Sequence, residues 1–153
     1  MIAGLARFAY RVAHRLRHRW RRWRGTPLRG VSIIARDIDG QVLLVRHSYG
    51  PGGWYFPGGG LKRGEAPEAA AKRELLEETG CEALSLRHVG DLEENLSGSP
   101  HTAHLFTAIT EDVPRPDRRE VVEARFFPTH SLPEPLSPRT RARLDFWQGE
   151  GGR

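Results

Sequence analysis

Between Gly59 and Cys81 the chain sets two glycines, four glutamates and one arginine at fixed intervals: Gly59, five residues, Glu65, seven residues, then Arg73-Glu74-Leu75-Leu76-Glu77-Glu78-Thr79-Gly80-Cys81. This stretch constrains local structure closely. Pro67 suits the first turn of a helix, where its missing N–H costs nothing. Ala69, Ala70, Ala71, Lys72, Glu74, Leu75, Leu76 and Glu77 are strong helix formers. The spacing therefore predicts a helix over residues 67–79, with Gly80 as the left-handed residue that closes it. At about 100° per residue, Glu74, Glu77 and Glu78 fall within roughly a 100° arc. Leu75 with Ala71, and Leu76 with Ala69, point to the two flanks.

Like charges three and four residues apart on a helix repel, so three carboxylates on one narrow stripe either stand in water or gather a cation. Just upstream, Phe56-Pro57-Gly58-Gly59-Gly60 supplies backbone without side chains, able to bend over the helix start and offer a carbonyl oxygen to the same cation. An all-oxygen set without neighbouring Cys or His suits Mg²⁺ or Mn²⁺ rather than zinc. Magnesium keeps part of its coordination for water and phosphate oxygens, so a polyphosphate substrate follows from it more naturally than a sugar or a peptide.

The run from Gly59 to Cys81 resembles the box of the Nudix hydrolase family, and the likeness extends in layout over roughly residues 30–148. It implies an α+β fold, an α/β/α sandwich around a mixed sheet. It further implies that Glu77 and Glu78 ligate the metal with the Gly58 carbonyl, and that Glu74 is either a ligand or the base that activates water. Arg73 would steady the cluster, and Glu65 would support it from outside the stripe. Cys81 replaces the usual branched aliphatic residue, a mild change because a buried free Cys behaves as a small hydrophobe. The implied reaction is Mg²⁺-dependent (or Mn²⁺-dependent) attack of water on the diphosphate bridge of a nucleoside diphosphate linked to another group, or of a related nucleotide. A further glutamate after the box often completes such sites. Glu120 stands at the corresponding place, with Glu123 as runner-up. Trp54, Tyr55 and Arg46, before the box, are candidate substrate contacts. Two alternatives stay open: an RNA 5′-end pyrophosphohydrolase, and a Nudix module that binds nucleotides without cleaving them.

The net charge of +5 conceals a division, since residues 1–30 hold nine arginines and no acid and the remainder is net −4. Within residues 1–25, Leu5, Phe8, Ala9, Val12, Leu16, Trp20 and Trp23 recur at helical spacing with arginines on the other side, predicting a basic amphipathic helix ahead of a catalytic domain over residues 26–153. Such a helix packs on the body or on a second subunit of a homodimer, lies on an anionic membrane surface, or meets nucleic acid. One cysteine excludes an intrachain disulfide and fits a reducing, cytoplasmic setting, peripheral to a membrane if the helix binds lipid.

Apolar runs at Val31–Arg36 and Gln41–His47 around Asp37-Ile38-Asp39-Gly40 predict a β-hairpin. Trp54-Tyr55-Phe56 reads as a short strand, Glu93–Pro100 as a polar loop, and Thr102–Thr110 and Ala124–Phe127 as strands. Ser137 and Pro138 mark the start of a C-terminal helix reaching about Gln148.

Overall fold

The computed structural model describes residues 28–48, 50, 52–96 and 98–151, together with the isolated Ala9. The expected helix in residues 1–25 lies outside the described residues. Among the described residues, six strands and two helices follow one another as β1 (Leu28–Arg36), β2 (Val42–His47), β3 (Gly58–Gly60), α1 (Pro67–Thr79), β4 (Ser85–Leu96), β5 (Ser99–Ile109), β6 (Val121–Phe127) and α2 (Pro138–Gly149).

The sheet is mixed, in the order β4-β5-β1-β2-β6, with β3 added alongside β1. β1 runs parallel to β5, while the remaining pairs are antiparallel. The expected hairpin forms, its turn held by the Asp37 carboxylate accepting from the Asp39 and Gln41 N–H groups at 3.0 and 2.8 Å. Beyond Arg36↔Val42, however, the two strands part. β2 goes on to pair with β6, and β1 takes β3 as its partner on that side. The glycine strand is thereby inserted where the sheet opens.

Alternate residues of β1 and β2 supply two separate cores, as the two-residue period of a strand requires. Val31, Ile33, Ala35, Leu43 and Val45 meet Ala70, Ala71 and Leu75 of α1. Ile34, Val42 and Leu44 meet Leu144 and Trp147 of α2, closing an α/β/α sandwich. α1 matches its expected span, and Gly80 adopts φ 70° with its N–H bonded to the Leu76 carbonyl at 2.8 Å. α2 is capped by the Ser137 hydroxyl, which accepts from Thr140 N–H at 3.1 Å.

Two expectations need correction. Trp54 and Tyr55 make only isolated bridges, to Leu136 and Val45, and the strand begins at Gly58. Glu93–Pro100 is not a loop: β4 and β5 run through it as a long hairpin paired from Ser85↔Ile109 to Leu96↔Ser99. Its residues read as loop because both faces of this outer part are polar, which hides the two-residue period.

Candidate active site

Glycines are required where β3 threads between β1 and α1. A side chain on Gly58 would run into the Val31 carbonyl oxygen, and one on Gly59 would strike the Glu74 carboxylate, coming within 2.6 Å of its carboxyl carbon. The hydrogen bonds Ile33 N–H to Pro57 O, at 2.8 Å, and Leu61 N–H to Arg29 O, at 3.1 Å, show that the odd-numbered residues of this segment face β1. In an antiparallel ladder the intervening residues then turn their polar groups away. Accordingly the Gly58 N–H reaches the Glu78 carboxylate at 3.4 Å, and the Gly60 carbonyl accepts from Arg73 at 3.1 Å. The Gly58 carbonyl lies on that same side of the strand, toward α1.

Arg73 ties the acids together. Its guanidinium donates to both Glu65 oxygens at 2.7 and 2.8 Å, to Glu74 at 2.8 Å and to Glu77 at 3.2 Å. The planar fork is suited to such shared binding in a way that an ammonium is not. Glu65 also accepts from Lys62 N–H at 3.0 Å. The Arg73 guanidinium first, and that N–H second, hold the Glu65 carboxyl down at about 2. Glu65 therefore stays ionised as the counter-ion of Arg73.

The three stripe carboxylates differ in surroundings. Glu77 is exposed, whereas Glu74 and Glu78 are buried, Glu78 to 2% exposure. Burial pushes the Glu74 carboxyl above its ordinary value against the opposing pull of Arg73. Burial pushes Glu78 further still, with the Glu74 charge adding to it and the Gly58 N–H countering only in part. Buried anions packed together without a matching cation are costly. A divalent cation is the partner this arrangement fits: its donors are carboxylates and a backbone carbonyl, the hard oxygens that Mg²⁺ and Mn²⁺ take.

The loop from residues 110–120 runs past the end of α1, with Arg115 N–H bonded to Thr79 O at 2.7 Å. In it the Asp117 carboxylate accepts from the N–H groups of Arg119, Glu120 and Val121 at 2.9, 3.0 and 2.9 Å, and its charge reaches Glu78. Sequence reasoning passed over Asp117. The available signal was an Asp ahead of a polar turn, the usual use of its side chain to satisfy its own backbone. Glu120 is half-buried, and burial raises its carboxyl. The runner-up Glu123 is instead engaged in an ion pair with Arg46 across the β2/β6 ladder.

The candidate substrate contacts fare unequally. Trp54, at 7% exposure, belongs to the α2-side core, edge-on to Phe127 at 5.0 Å. An aromatic beside a strand is bought by the core more readily than by a ligand. Arg46, paired with Glu123, lies over the Trp54 ring at 5.5 Å. Tyr55 is half-buried on the α1 face, its ring 5.2 Å from that of His47.

Three carboxylates on one helix stripe beside a glycine strand, two of them hydrogen-bonded to Arg73, offer the hard oxygen donors that a divalent cation and its phosphate ligands suit. The NUDIX domain model matches residues 26–147, and the chain belongs to the Nudix family, whose members generally use Mg²⁺ or Mn²⁺. An RNA pyrophosphohydrolase of Saccharophagus degradans is 48% identical over 98 residues, covering 54% of this chain and 58% of that protein. A MutT NUDIX hydrolase from Burkholderia pseudomallei superimposes with TM-score 0.70 at 26% identity, over 78% of this chain and 97% of that one. A UDP-X diphosphatase structure gives TM-score 0.70 at 28% identity, over 84% and 65% of the respective chains. The chain spans between 28% and 58% of the length of the curated RNA pyrophosphohydrolases it matches.

Proposed function

We propose that this protein is a Mg²⁺-dependent pyrophosphohydrolase that cleaves the diphosphate bridge of a nucleoside diphosphate linked to another group, or of a related nucleotide. The observation that carries this reading is the buried pair Glu74 and Glu78 against the glycine strand Gly58–Gly60, with exposed Glu77 on the same helix stripe. Glu74, Glu77, Glu78 and the Gly58 carbonyl are the groups that would hold the metal. Bound there, Mg²⁺ would supply charge neutralisation at the phosphate oxygens.

The chain's own residues account for the remaining parts. Arg73 fixes Glu74 and Glu77 in place before any substrate arrives, which is the preorganisation that electrostatic catalysis needs. Glu120, half-buried and with its carboxyl raised by burial, is the proposed base that takes a proton from the attacking water. Glu74, anchored by Arg73 and squeezed against Gly59, has little freedom to swing and suits a fixed ligand better than a mobile base. A binding-only module has no need for all three stripe carboxylates, so their joint presence favours hydrolysis.

A second reading, cleavage at the 5′ end of RNA, is favoured by the name of the 48% identical relative and by the nine arginines in residues 1–30. Phosphate release measured with Mg²⁺ over nucleotide sugars, dinucleoside polyphosphates, nucleoside triphosphates and 5′-triphosphorylated RNA tests both. Turnover of nucleotide sugars above the RNA supports the first reading, and the reverse order supports the second. No turnover of any of them, in protein that binds Mg²⁺, refutes the enzymatic reading.

A further inference from the structure

On the same sheet face as α1 but outside the box, His88 Nε2 and His104 Nδ1 each approach Asp91 Oδ1 at 2.7 Å. All three ligand atoms lie within 4.8 Å of one another. We propose that His88, Asp91 and His104 form a second metal site, taking a divalent transition ion of zinc's class and leaving the remaining coordination to water.

The backbone is adapted to bring these groups together. His88 and Asp91 are three residues apart, and in a regular strand they would face opposite sides of the sheet. The register instead shifts from His88↔Phe106 to Gly90↔Leu105, leaving Val89 as an extra residue, and Asp91 then pairs with His104. That bulge turns His88 and Asp91 onto one face, the re-aiming for which bulges are used. Gly90 is required at the bulge, because a side chain there would come within 2.8 Å of the Phe146 ring of α2. His104 is buried and its ring is fixed, while His88 and Asp91 open to solvent and give an ion a way in.

The donor set differs in kind from that of the box. Two imidazoles and one carboxylate are a typical set for Zn²⁺, Co²⁺, Ni²⁺ or Fe²⁺, and magnesium disfavours nitrogen ligands. At metal–ligand bonds near 2.0–2.1 Å, tetrahedral ligands stand about 3.3 Å apart. The present 2.7 Å contacts to Asp91 are hydrogen bonds that open by about 0.6 Å to admit an ion, while the two imidazole nitrogens, within 4.8 Å of each other, adjust to the same spacing.

Arg29 sets a condition on loading. Its guanidinium, which can only donate, lies 3.1 Å from His104 Nε2, so Nε2 accepts and the ring proton sits on Nδ1. That nitrogen is the one the ion needs. Loading therefore moves the His104 proton to Nε2, moves the proton that His88 Nε2 now donates to the Asp91 carboxylate onto His88 Nδ1, and sends the exposed Arg29 side chain into solvent. Val31 of β1 lies opposite both Gly59 and His104, so His104 sits two strand spacings, roughly 10 Å, from the box's glycine strand, and His88 and Asp91 on β4 lie one spacing further. An ion there would clamp β4 to β5 without joining the box.

The test is calorimetric titration of ZnCl₂ into the metal-stripped 153-residue chain held in millimolar Mg²⁺. Wild type should show a zinc step that His88→Ala weakens at least tenfold, that Arg29→Ala tightens several-fold, and that Glu77→Gln leaves unchanged. His88 is exposed, so its removal spares the fold. Nitrogen-edited imidazole spectra should show the His104 proton passing from Nδ1 to Nε2 as zinc is added. A His88→Ala protein that titrates like wild type, a zinc step lost in Glu77→Gln, or a His104 tautomer unmoved by saturating zinc would each overturn the proposal.

Discussion

Glu78 offers the sharpest test, because the same carboxylate should burden the metal-free fold and serve the metal-bound one. It is 2% exposed, accepts from the Gly58 N–H at a long 3.4 Å, and shares its surroundings with the Glu74 and Asp117 charges. Its carboxyl is pushed well above the ordinary carboxylate range, chiefly by burial. In Glu78→Gln the amide oxygen keeps the Gly58 contact and the charge disappears. An uncompensated buried ion costs several kcal/mol, of which relaxation and protonation recover part. A net gain of about 2 kcal/mol in the metal-free protein at pH 8 is expected, which for a domain of this size raises the Tm by roughly 4–8 °C.

The pH dependence has a definite sign. A carboxyl whose folded pKa is raised contributes stability fully below its unfolded value, about 4.3 for Glu, and loses it as pH climbs through the folded value. Wild type in EDTA should therefore lose stability relative to Glu78→Gln as pH rises from 4 upward, and the two should converge near pH 4. Magnesium reverses the ranking. At a hundred times its Kd it stabilises wild type by about 2.7 kcal/mol, and the variant gains far less. Hydrolysis by the variant should fall at least about 100-fold, about 2.7 kcal/mol of barrier. Melting curves in EDTA and in MgCl₂ across pH 4–9 read all of this. A variant that melts below wild type in EDTA at pH 8, or responds to Mg²⁺ as wild type does, refutes the account of Glu78 as a burdened metal ligand.

Glu77→Gln removes a carboxylate that is 52% exposed, so turnover should drop by orders of magnitude with the Tm in EDTA within about 2 °C of wild type, checked by paired kinetics and melting. Gly59→Ala drives a methyl into the Glu74 carboxylate, and a loss of Mg²⁺ affinity by calorimetry is expected although neither charge nor ligand type has changed. Arg73→Lys keeps the charge but cannot reach Glu65, Glu74, Glu77 and Gly60 together, so kcat should fall more than tenfold and the midpoint of urea unfolding should drop. Leu75→Ala empties a fully buried position under α1 and should cost about 2–5 kcal/mol in urea unfolding, with activity per folded molecule retained.

What was legible in the sequence was whatever short-range chemistry decides. Pro67 and Gly80 bracket α1, Ser137 and Pro138 start α2, and Asp37 makes the first turn, because each acts on backbone within a few residues of itself. The glutamate stripe was legible for the same reason, since helical period alone places Glu74, Glu77 and Glu78 together. The unequal burial of those three was not, because it depends on where β3 lies over the helix, and β3 is ordered by β1 some thirty residues away.

The same distinction explains Trp54 and the β4–β5 hairpin. Whether an aromatic faces ligand or core depends on what the opposite layer offers, and α2, near the far end of the chain, supplies the pocket that takes Trp54. In β4 the alternation fails at Val89, where the bulge resets the faces, so a two-residue period read along the chain loses its phase there. That bulge is also what brings His88 alongside Asp91. Where a local rule fails without disturbing the fold, something non-local is compensating, here the ring of Phe146 against Gly90 on one face and the imidazole–carboxylate cluster on the other. Irregularity in an otherwise well-paired strand thus singles out the proposed second site, as the side-chain-free strand β3 singles out the acidic one.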